Sequence, residues 1–355
     1  MTTLLSQLSI IGIYIAMGFY ALAFVAFALD LARRGARVSE EEAARVPSAV
    51  SRRSAVPASG GQDSTVITVF ADEPPVDDTP GVIGRFASRI SDRLENNVLS
   101  SEGSSASMRW AFALTTSGFV FHLAATVFRG IAAGRVPWAD MWEFSMTGTL
   151  VMIGVFLVAN LKWDLKYLGT FLLGLVLILQ GISLLRYYVP VSPLVPALQS
   201  YWLVIHIVVA ILGTAFFALG FILSGLQLLQ YRRERQRDQS LPQQFRFLAT
   251  LPSSTALENL AYRINIVGFI AWTFTLIAGA IWAEKAWGRY WGWDTKEVWT
   301  FIVWVIYAGY IHARATRGWR GSRSAWLGLI GFAAVMFNFG IVNVFFHGLH
   351  SYSGL

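Results

Sequence analysis

Residues 201–229 read YWLVIHIVVAILGTAFFALGFILSGLQLL, and this stretch contains no Asp, Glu, Lys or Arg. About 20 apolar residues are enough for a helix to cross the ~30 Å hydrocarbon core of a bilayer. Backbone groups find no water partners in hydrocarbon, so only helices and closed barrels cross it. Because the run shows no strand-type alternation, it predicts a transmembrane α-helix.

Similar runs recur along the chain, which has 355 residues, 55% of them hydrophobic and 14% charged. The mean hydropathy of +0.52 argues against a soluble enzyme. We therefore predict an all-α, polytopic membrane protein with about eight transmembrane helices. The predicted spans are residues 9–32, 110–133, 143–161, 167–187, 201–229, 264–284, 298–315 and 325–346. The absence of Cys excludes disulfides, thiolate metal sites and thiol chemistry by this chain.

The basic residues are distributed unevenly between the two sets of loops. If the N-terminus lies outside, 22 of the 28 Lys and Arg residues fall in the inward loops 33–109, 162–166, 230–263 and 314–324, and six face outward. Inward loops of membrane proteins carry an excess of basic residues. We therefore predict a plasma-membrane protein with both termini outside. These loops also explain the net charge of +7 without a nucleic-acid partner.

Residues 1–32 form the predicted first transmembrane helix, and residues 33–108 form a predicted cytoplasmic linker. The first part of the linker is a mixture of Ser, Pro, Gly and acidic residues, which is typical of disorder. Residues 81–99 place apolar side chains on one helical stripe and arginines on another. This pattern predicts an amphipathic helix on the inner leaflet, although a partner-facing or merely solvated helix would show it too.

Eight of the 14 Trp residues are predicted on or just inside the outward side. They are Trp138, Trp142, Trp202, Trp282, Trp287, Trp291, Trp293 and Trp299. An aromatic belt at the membrane interface would explain scattered Trp residues. Three of them, however, crowd with Tyr290 into the single short loop WGRYWGWDTKEVW. This crowding favours a flat apolar surface for a large planar ligand.

Histidines give the second signal. His206 is predicted near the outer end of its span, and His350 follows the last span on the same side. His122 lies near the middle of the second span, and His312 lies toward the inner end of the seventh. A single intramembrane His more often packs through hydrogen bonds. Two at one depth on separate helices suit axial ligation of haem iron, and the first pair matches in depth better than the second.

Other classes of membrane protein fit these residues less well. The sequence contains no H-E-x-x-H grouping of a zincin. No predicted span has two His, as in a b-type cytochrome that ligates haem within one helix, and no repeated half indicates a secondary transporter. Asp294, Lys296 and Glu297 could act as acid or base, yet at a helix start they also serve as cap and dipole partners.

The loop at residues 287–299 resembles the tryptophan-rich WWD signature of haem-handling membrane proteins. Three further segments, residues 134–143, 194–202 and 348–354, are similar to the CcsA/ResC branch of the System II cytochrome c synthase. The resemblance extends from about residue 109 to the C-terminus. It implies that residues 109–355 form a seven-helix haem-handling core that contains the WWD loop.

The resemblance implies a site for haem b near the outer face, with His206 and His350 as iron ligands. It implies that the WWD loop lies against this haem. The loop residues expected to bind are Trp287, Trp291, Trp293, Asp294 and Trp299. It also implies an intramembrane haem site that uses His312, with His122 as the candidate opposite ligand. The sequence does not decide which of four basic residues pairs with the haem propionates. These are Lys285, Arg289, Lys296 and Arg135.

The resemblance also implies a role in cytochrome c maturation. A haem-binding synthase subunit would present haem to apocytochrome c, whose C-x-x-C-H segment supplies the thiols. A ResB-like membrane partner normally completes such a synthase, and a thioredoxin-like thiol reductant is left open as a further partner. Two other hypotheses remain at this stage: a haem exporter or chaperone without synthase activity, and a structural membrane scaffold.

Overall fold

The computed structural model describes residues 2–45, 105–193, 198–235, 243–316, 318–346 and 348–350. Its long helices follow one another in chain order. They are α1 (Thr2–Arg45), α2 (Ala106–Ala133), α3 (Met141–Asn160), α4 (Gly169–Arg186), α5 (Tyr201–Arg235), α6 (Ser254–Trp287), α7 (Thr295–Thr316) and α8 (Ser322–Met336). Helix α8 continues through a π-helical segment, Phe337–Val342, into the short α9, Asn343–Phe345. These residues include no β-strand.

Seven helices of the described chain are long and apolar enough to cross a membrane, which confirms an all-α, polytopic membrane protein. Helix α7 occupies the remaining predicted span but is less apolar, because charged residues stand near both of its ends. Helix α1 extends beyond the predicted 9–32 to Arg45, since residues 33–45 are rich in the strong helix formers Ala, Arg and Glu. The amphipathic helix predicted at 81–99 lies outside the described residues.

Helix α5 lies at the centre of the bundle and packs against α6, α8 and α3. Its contact with α6 is close: a Cβ atom on Gly268 would lie only 2.8 Å from the ring of Phe217. The aromatic layer continues to α7, where Tyr307 stacks on Phe217 with ring centroids 3.6 Å apart. Small residues allow this approach where no hydrophobic effect drives helices together inside a membrane.

Helix α1 forms the periphery of the bundle and packs against α2 and α4. The buried carboxylate of Asp30 accepts hydrogen bonds from the hydroxyls of Ser105 and Ser107 at the start of α2. It also forms an ion pair with Arg34, at 2.7 Å. A buried charge is tolerated when it is paired and hydrogen-bonded in this way. The first helix is therefore attached to the rest of the bundle by a specific polar contact.

The turn between α6 and α7 defines one end of the bundle, called the loop end below. Helix α6 ends at Gly288, whose φ of 70° lies in the left-handed region that glycine adopts at helix ends. Seven residues later α7 begins, and α8 returns to the same end through its π-helical segment. The opposite ends of α6 and α7 are joined by Arg314, which donates to the backbone oxygen of Glu258 at 2.8 Å. These connections fix the frame of the site.

Candidate functional site

A cavity of about 460 Å³ lies inside the bundle at the loop end. Side chains of all six helices from α3 to α8 line it, together with residues of the turn before α7. Most of the lining is apolar and includes Phe144, Met152, Ile207 and Leu276. Ligand sites typically have 300–1,000 Å³ and combine such a lining with a few placed polar groups. The cavity therefore suits an organic ligand that is largely apolar.

His206 of α5 lines this cavity and is held in one orientation. Its Nδ1–H donates to the backbone oxygen of Thr275 on α6, at 2.9 Å. Its ring stacks on Trp282, with centroids 5.9 Å apart and planes 13° apart. A Cβ atom on Gly279 would stand 2.8 Å from the imidazole, so a residue without a side chain is needed there. Because Nδ1 is the donor, Nε2 keeps its lone pair for a metal.

His350 reaches the same cavity from the chain segment after α9. Its Nδ1 lies 3.0 Å from Oδ1 of Asp294, and the carboxylate requires the Nδ1–H tautomer. The edge of Trp287 packs on the imidazole at 4.8 Å, and Trp282 packs on it at 5.6 Å. A His with Nδ1 on a carboxylate is the arrangement that orients metal-ligating imidazoles in proteins. His350 thus also offers Nε2.

The two histidines are brought together, as both line one cavity and both pack on Trp282. Each has its Nδ1 committed to an anchor, so each presents the same ligand atom, Nε2. No group of three or more His, Asp or Glu in the described chain forms a protein-only metal site. Two imidazoles that each present Nε2 to a largely apolar cavity would instead hold the iron of a planar complex such as haem.

Asp294 and Glu297 determine the shape of the turn that holds His350. Asp294 accepts from the backbone N–H groups of Lys296, at 2.9 Å, and Leu349, at 2.8 Å. Glu297 Oε2 accepts from the N–H groups of Gly292 and Asp294, at 2.8 and 3.1 Å. This reciprocal pattern is a capping box at the start of α7. The hydrogen bond from His350 lowers the pKa of Asp294 to about 2, so the anchor is charged at neutral pH.

The structure places the tryptophans of the loop in different surroundings. Trp291 lines the cavity. Trp287 reaches the site through its contact with His350, and Trp299 packs on Phe337 of the π-helical segment at 4.3 Å. The side chain of Trp293 is 77% exposed and is not part of the cavity wall. The loop is therefore not one flat surface, and Trp291 alone of these four lines the cavity.

A buried ionic network supports the wall formed by α3. Arg129 of α2 donates from Nε to Glu143 at 2.9 Å, and Arg135 donates to the other carboxylate oxygen at 2.5 Å. Asp140 caps α3 by accepting from the N–H of Glu143 at 2.8 Å. Burial, with the charge of Glu143, raises the pKa of Asp140 to about 6. Arg129 also donates to the backbone oxygen of Val189, which follows α4. The network therefore joins the loop between α2 and α3 to the loop between α4 and α5.

His122 and His312 are not brought together. His122 is 1% exposed and lies 3.3 Å from the Tyr20 hydroxyl, in the contact between α1 and α2. The imidazole of His312 is exposed on α7, which packs against α6 and α8. Neither residue lines the cavity. Their assignment as opposite ligands of an intramembrane haem stays a prediction.

Sequence reasoning missed several residues that build the site. Trp282 was noted only as one of many outward tryptophans, although it contacts both histidines. Thr275, Gly279 and Asn338 of the wall were not singled out. A detectable signal existed for Gly279 and Trp282, because both follow Thr275 at helical spacing on the face that meets His206. The cap at Asp294 and Glu297, in contrast, was predicted from the sequence, and the structure contains it.

Comparison with known proteins bears on this geometry. Residues 141–350 match the family model of the cytochrome C assembly protein, which is more than half of the chain. The chain belongs to this family. The matched region contains His206, His350 and the loop before α7, whereas α1 and α2, with His122, lie outside it.

Relatives within the family carry the description cytochrome c biogenesis protein CcsA, which confirms the resemblance to CcsA-type proteins. The protein of Heterosigma akashiwo is 34% identical over 248 residues, covering 62% of this chain and 77% of the relative. That of Trieres chinensis is 32% identical over 279 residues, covering 70% and 89%. That of Prochlorococcus marinus is 34% identical over 257 residues, covering 64% and 78%.

A solved structure, cytochrome c heme lyase CcmF, shares the fold with a TM-score of 0.50 and 17% sequence identity. The similarity covers 76% of this chain and 48% of the other, so this chain corresponds to about half of that protein. The chain is thus a multi-pass membrane protein of cytochrome c biogenesis.

Proposed function

We propose that this protein is the haem-binding subunit of a System II cytochrome c synthase. It holds haem b in the cavity at the loop end and presents it to apocytochrome c. The observation that carries the proposal is the convergence of His206 and His350 on one cavity, each with Nδ1 anchored and Nε2 available. Haem, when bound, supplies the vinyl groups to which the thiols of a C-x-x-C-H segment add.

The residues of this chain serve to bind and orient. Thr275 and Asp294 fix the planes of the two imidazoles, because each accepts the Nδ1–H of one histidine. The apolar wall excludes water and holds the ligand beside an incoming peptide, so that a bimolecular addition becomes an oriented reaction. Asp294 is a positioning residue in this scheme, and Trp291 packs against the ligand as part of the wall.

The proposal includes a location and partners. The excess of basic residues in the loops at the other end of the bundle supports a plasma-membrane protein with the loop end on the extracytoplasmic side. The chain has no Cys, so the reacting thiols belong to apocytochrome c, and a thioredoxin-like reductant would keep them reduced. His122 stays the candidate opposite ligand for His312 within this chain, but His312 is exposed on α7, where a ligand from another chain can also reach it. A ResB-like membrane partner is the proposed source.

The first test is spectroscopic. The purified protein should show a Soret band, and His206→Gly and His350→Gly should each weaken it, because one axial ligand is lost. Added imidazole should restore part of the band by filling the empty position. Val204→Gly is the matched control for His206→Gly. Val204 lies on the exposed face of α5, and glycine lowers helix stability by a similar amount at either position. No Soret band in the unmodified protein at any stage of purification would favour a structural scaffold.

The second test separates a synthase from a haem exporter or chaperone. The protein is coexpressed with a ResB-like partner and an apocytochrome that carries C-x-x-C-H, and covalent haem is detected by peroxidase staining of a denaturing gel. We expect covalent haem with the unmodified protein and a strong decrease with either His variant. A Soret band in the purified protein without covalent product in the complete system would instead favour the exporter.

A further inference from the structure

The cavity is apolar over most of its wall, but one side carries polar atoms without partners. Oε1 of Glu297 and Oδ1 of Asn338 are both buried and accept no hydrogen bond from the described residues. Lys296 lines the same side as a third polar residue. Both oxygens are acceptors, so they call for a donor such as water, whereas the ammonium of Lys296 is the group of this cluster that can receive an acidic ligand group.

Of the four basic residues that the sequence leaves open as partners of an acidic ligand group, only Lys296 lines the cavity. Arg135 is engaged by both carboxylate oxygens of Glu143. Lys285 is exposed and pairs with its neighbour Glu284 at 3.0 Å. Arg289 is absent from the cavity wall. The structure thus distinguishes between candidates that are equivalent in the sequence.

The ammonium group of Lys296 has hydrogen-bonding capacity to spare. Its Nζ donates to the backbone oxygen of Asn338, in the π-helical segment, at 2.7 Å. An ammonium has three N–H donors, so two are left for other acceptors. In the described chain no carboxylate oxygen lies within ion-pair distance of Nζ; its nearest acidic neighbours in sequence, Asp294 and Glu297, are held by His350 and by backbone N–H groups. An enclosed ammonium with no carboxylate oxygen within ion-pair distance is stabilised in its charged form by an anion placed in the cavity.

We propose that Lys296 is the anion subsite of this cavity and binds a carboxylate of the ligand. The proposal rests on the function proposed above, in which the ligand is haem and the carboxylate is a propionate. The ligand then lies with its acidic edge toward Lys296 and its apolar edge toward α3 and α5.

The experiment compares two ligands that differ only in the acidic groups. The purified full-length protein in detergent is titrated with iron protoporphyrin IX and with its dimethyl ester, and binding is followed by the Soret band. Charge-assisted hydrogen bonds are among the stronger ones in proteins, so the unmodified protein should bind the diacid about tenfold more tightly than the ester. In Lys296→Gln the diacid should lose that advantage, whereas ester binding should stay the same.

Two variants complete the design. Lys296→Arg keeps the positive charge and should retain the preference for the diacid. Lys285→Gln, an exposed lysine outside the cavity, should leave both affinities unchanged. Equal losses for diacid and ester in Lys296→Gln would show a structural role through Asn338 and would overturn the subsite. Equal binding of both ligands by the unmodified protein would also overturn it while leaving haem binding intact. Absence of a Soret band with either ligand would reject the proposed function itself.

Discussion

The two pairs of histidines in this protein differ in one respect that the sequence does not display. His206 and His350 stand on separate segments, and each has Nδ1 anchored beside a common cavity. His122 is buried against Tyr20, and His312 is exposed on another part of the bundle. Two histidines at one depth become candidate ligands of one iron only when both side chains also point into the same cavity. Orientation toward a common cavity is therefore what separates the two pairs.

The surroundings of the pairs differ as well. The imidazoles of His206 and His350 are contacted by a backbone oxygen, by the carboxylate of Asp294 and by the ring of Trp282. His122 instead contacts the Tyr20 hydroxyl, at 3.3 Å, and forms a hydrogen bond with the backbone of Met146. Outer-shell partners orient metal ligands, and the first pair has them. The contrast predicts three outcomes, which differ in the size of their effect on haem affinity.

The largest effect is expected for Asp294→Ala. This change removes the acceptor for His350 Nδ1–H and for the N–H groups of Leu349 and Lys296. Loss of such a partner typically lowers metal affinity by about 10–100-fold, and we expect a similar decrease in haem affinity, measured by Soret titration. Loss of the α7 cap should also cost about 1 kcal/mol of stability.

Asp164→Ala provides the matched control for that experiment. Asp164 also lies in a loop between helices, its side chain is 74% exposed, and it is not part of the cavity wall. It should leave haem affinity unchanged. Unchanged affinity in Asp294→Ala, with the fold intact, would mean that His350 needs no anchor and that the two pairs of histidines are less different than the contacts indicate.

An effect of intermediate size is expected for His122→Ala, which should lower the stability of the fold without changing the haem cavity. The substitution empties a buried site and removes the partner of the Tyr20 hydroxyl, which should cost about 1–3 kcal/mol. A lower apparent melting temperature in detergent is therefore expected, with unchanged haem affinity per folded molecule. The control is Val120→Ala, two residues away on an exposed face of α2. A clear loss of haem in His122→Ala would restore the intramembrane ligand role.

These contrasts show how far the sequence reaches. The long apolar runs predicted the helices. The predicted depths placed His206 and His350 at one level, because rise along a helix is fixed at 1.5 Å per residue, and both residues line one cavity in the structure. The rotation of a helix about its own axis depends on how it packs against its neighbours, and this packing cannot be read from the sequence. For this reason the sequence, which predicts His312 in an intramembrane haem site, does not show that its side chain is exposed on α7. The role of Gly279 likewise depends on which helix lies opposite.

The tryptophan loop was the least predictable part of the site, because its side chains follow the path of an irregular backbone. Trp293 has a φ of 59°, in the left-handed region that non-glycine residues rarely adopt. The two hydrogen bonds from Gly292 and Asp294 to Glu297 flank this residue and hold the turn in that conformation. The turn directs Trp291 toward the cavity and leaves Trp293 exposed. No residue pattern separates two tryptophans that stand two positions apart.

The smallest effect is therefore expected for Trp293→Gly. A left-handed residue with a side chain costs roughly 1–2 kcal/mol, and glycine removes that cost. The greater flexibility of glycine in the unfolded chain offsets part of the gain, and a ring that is 77% exposed loses little burial. The apparent melting temperature should stay equal or rise slightly, and haem affinity should change less than about twofold. Trp291→Gly, in the cavity wall, should lower haem affinity in the same assay. A loss of about tenfold in Trp293→Gly would place that ring on the ligand and would return it to the role that the resemblance implies.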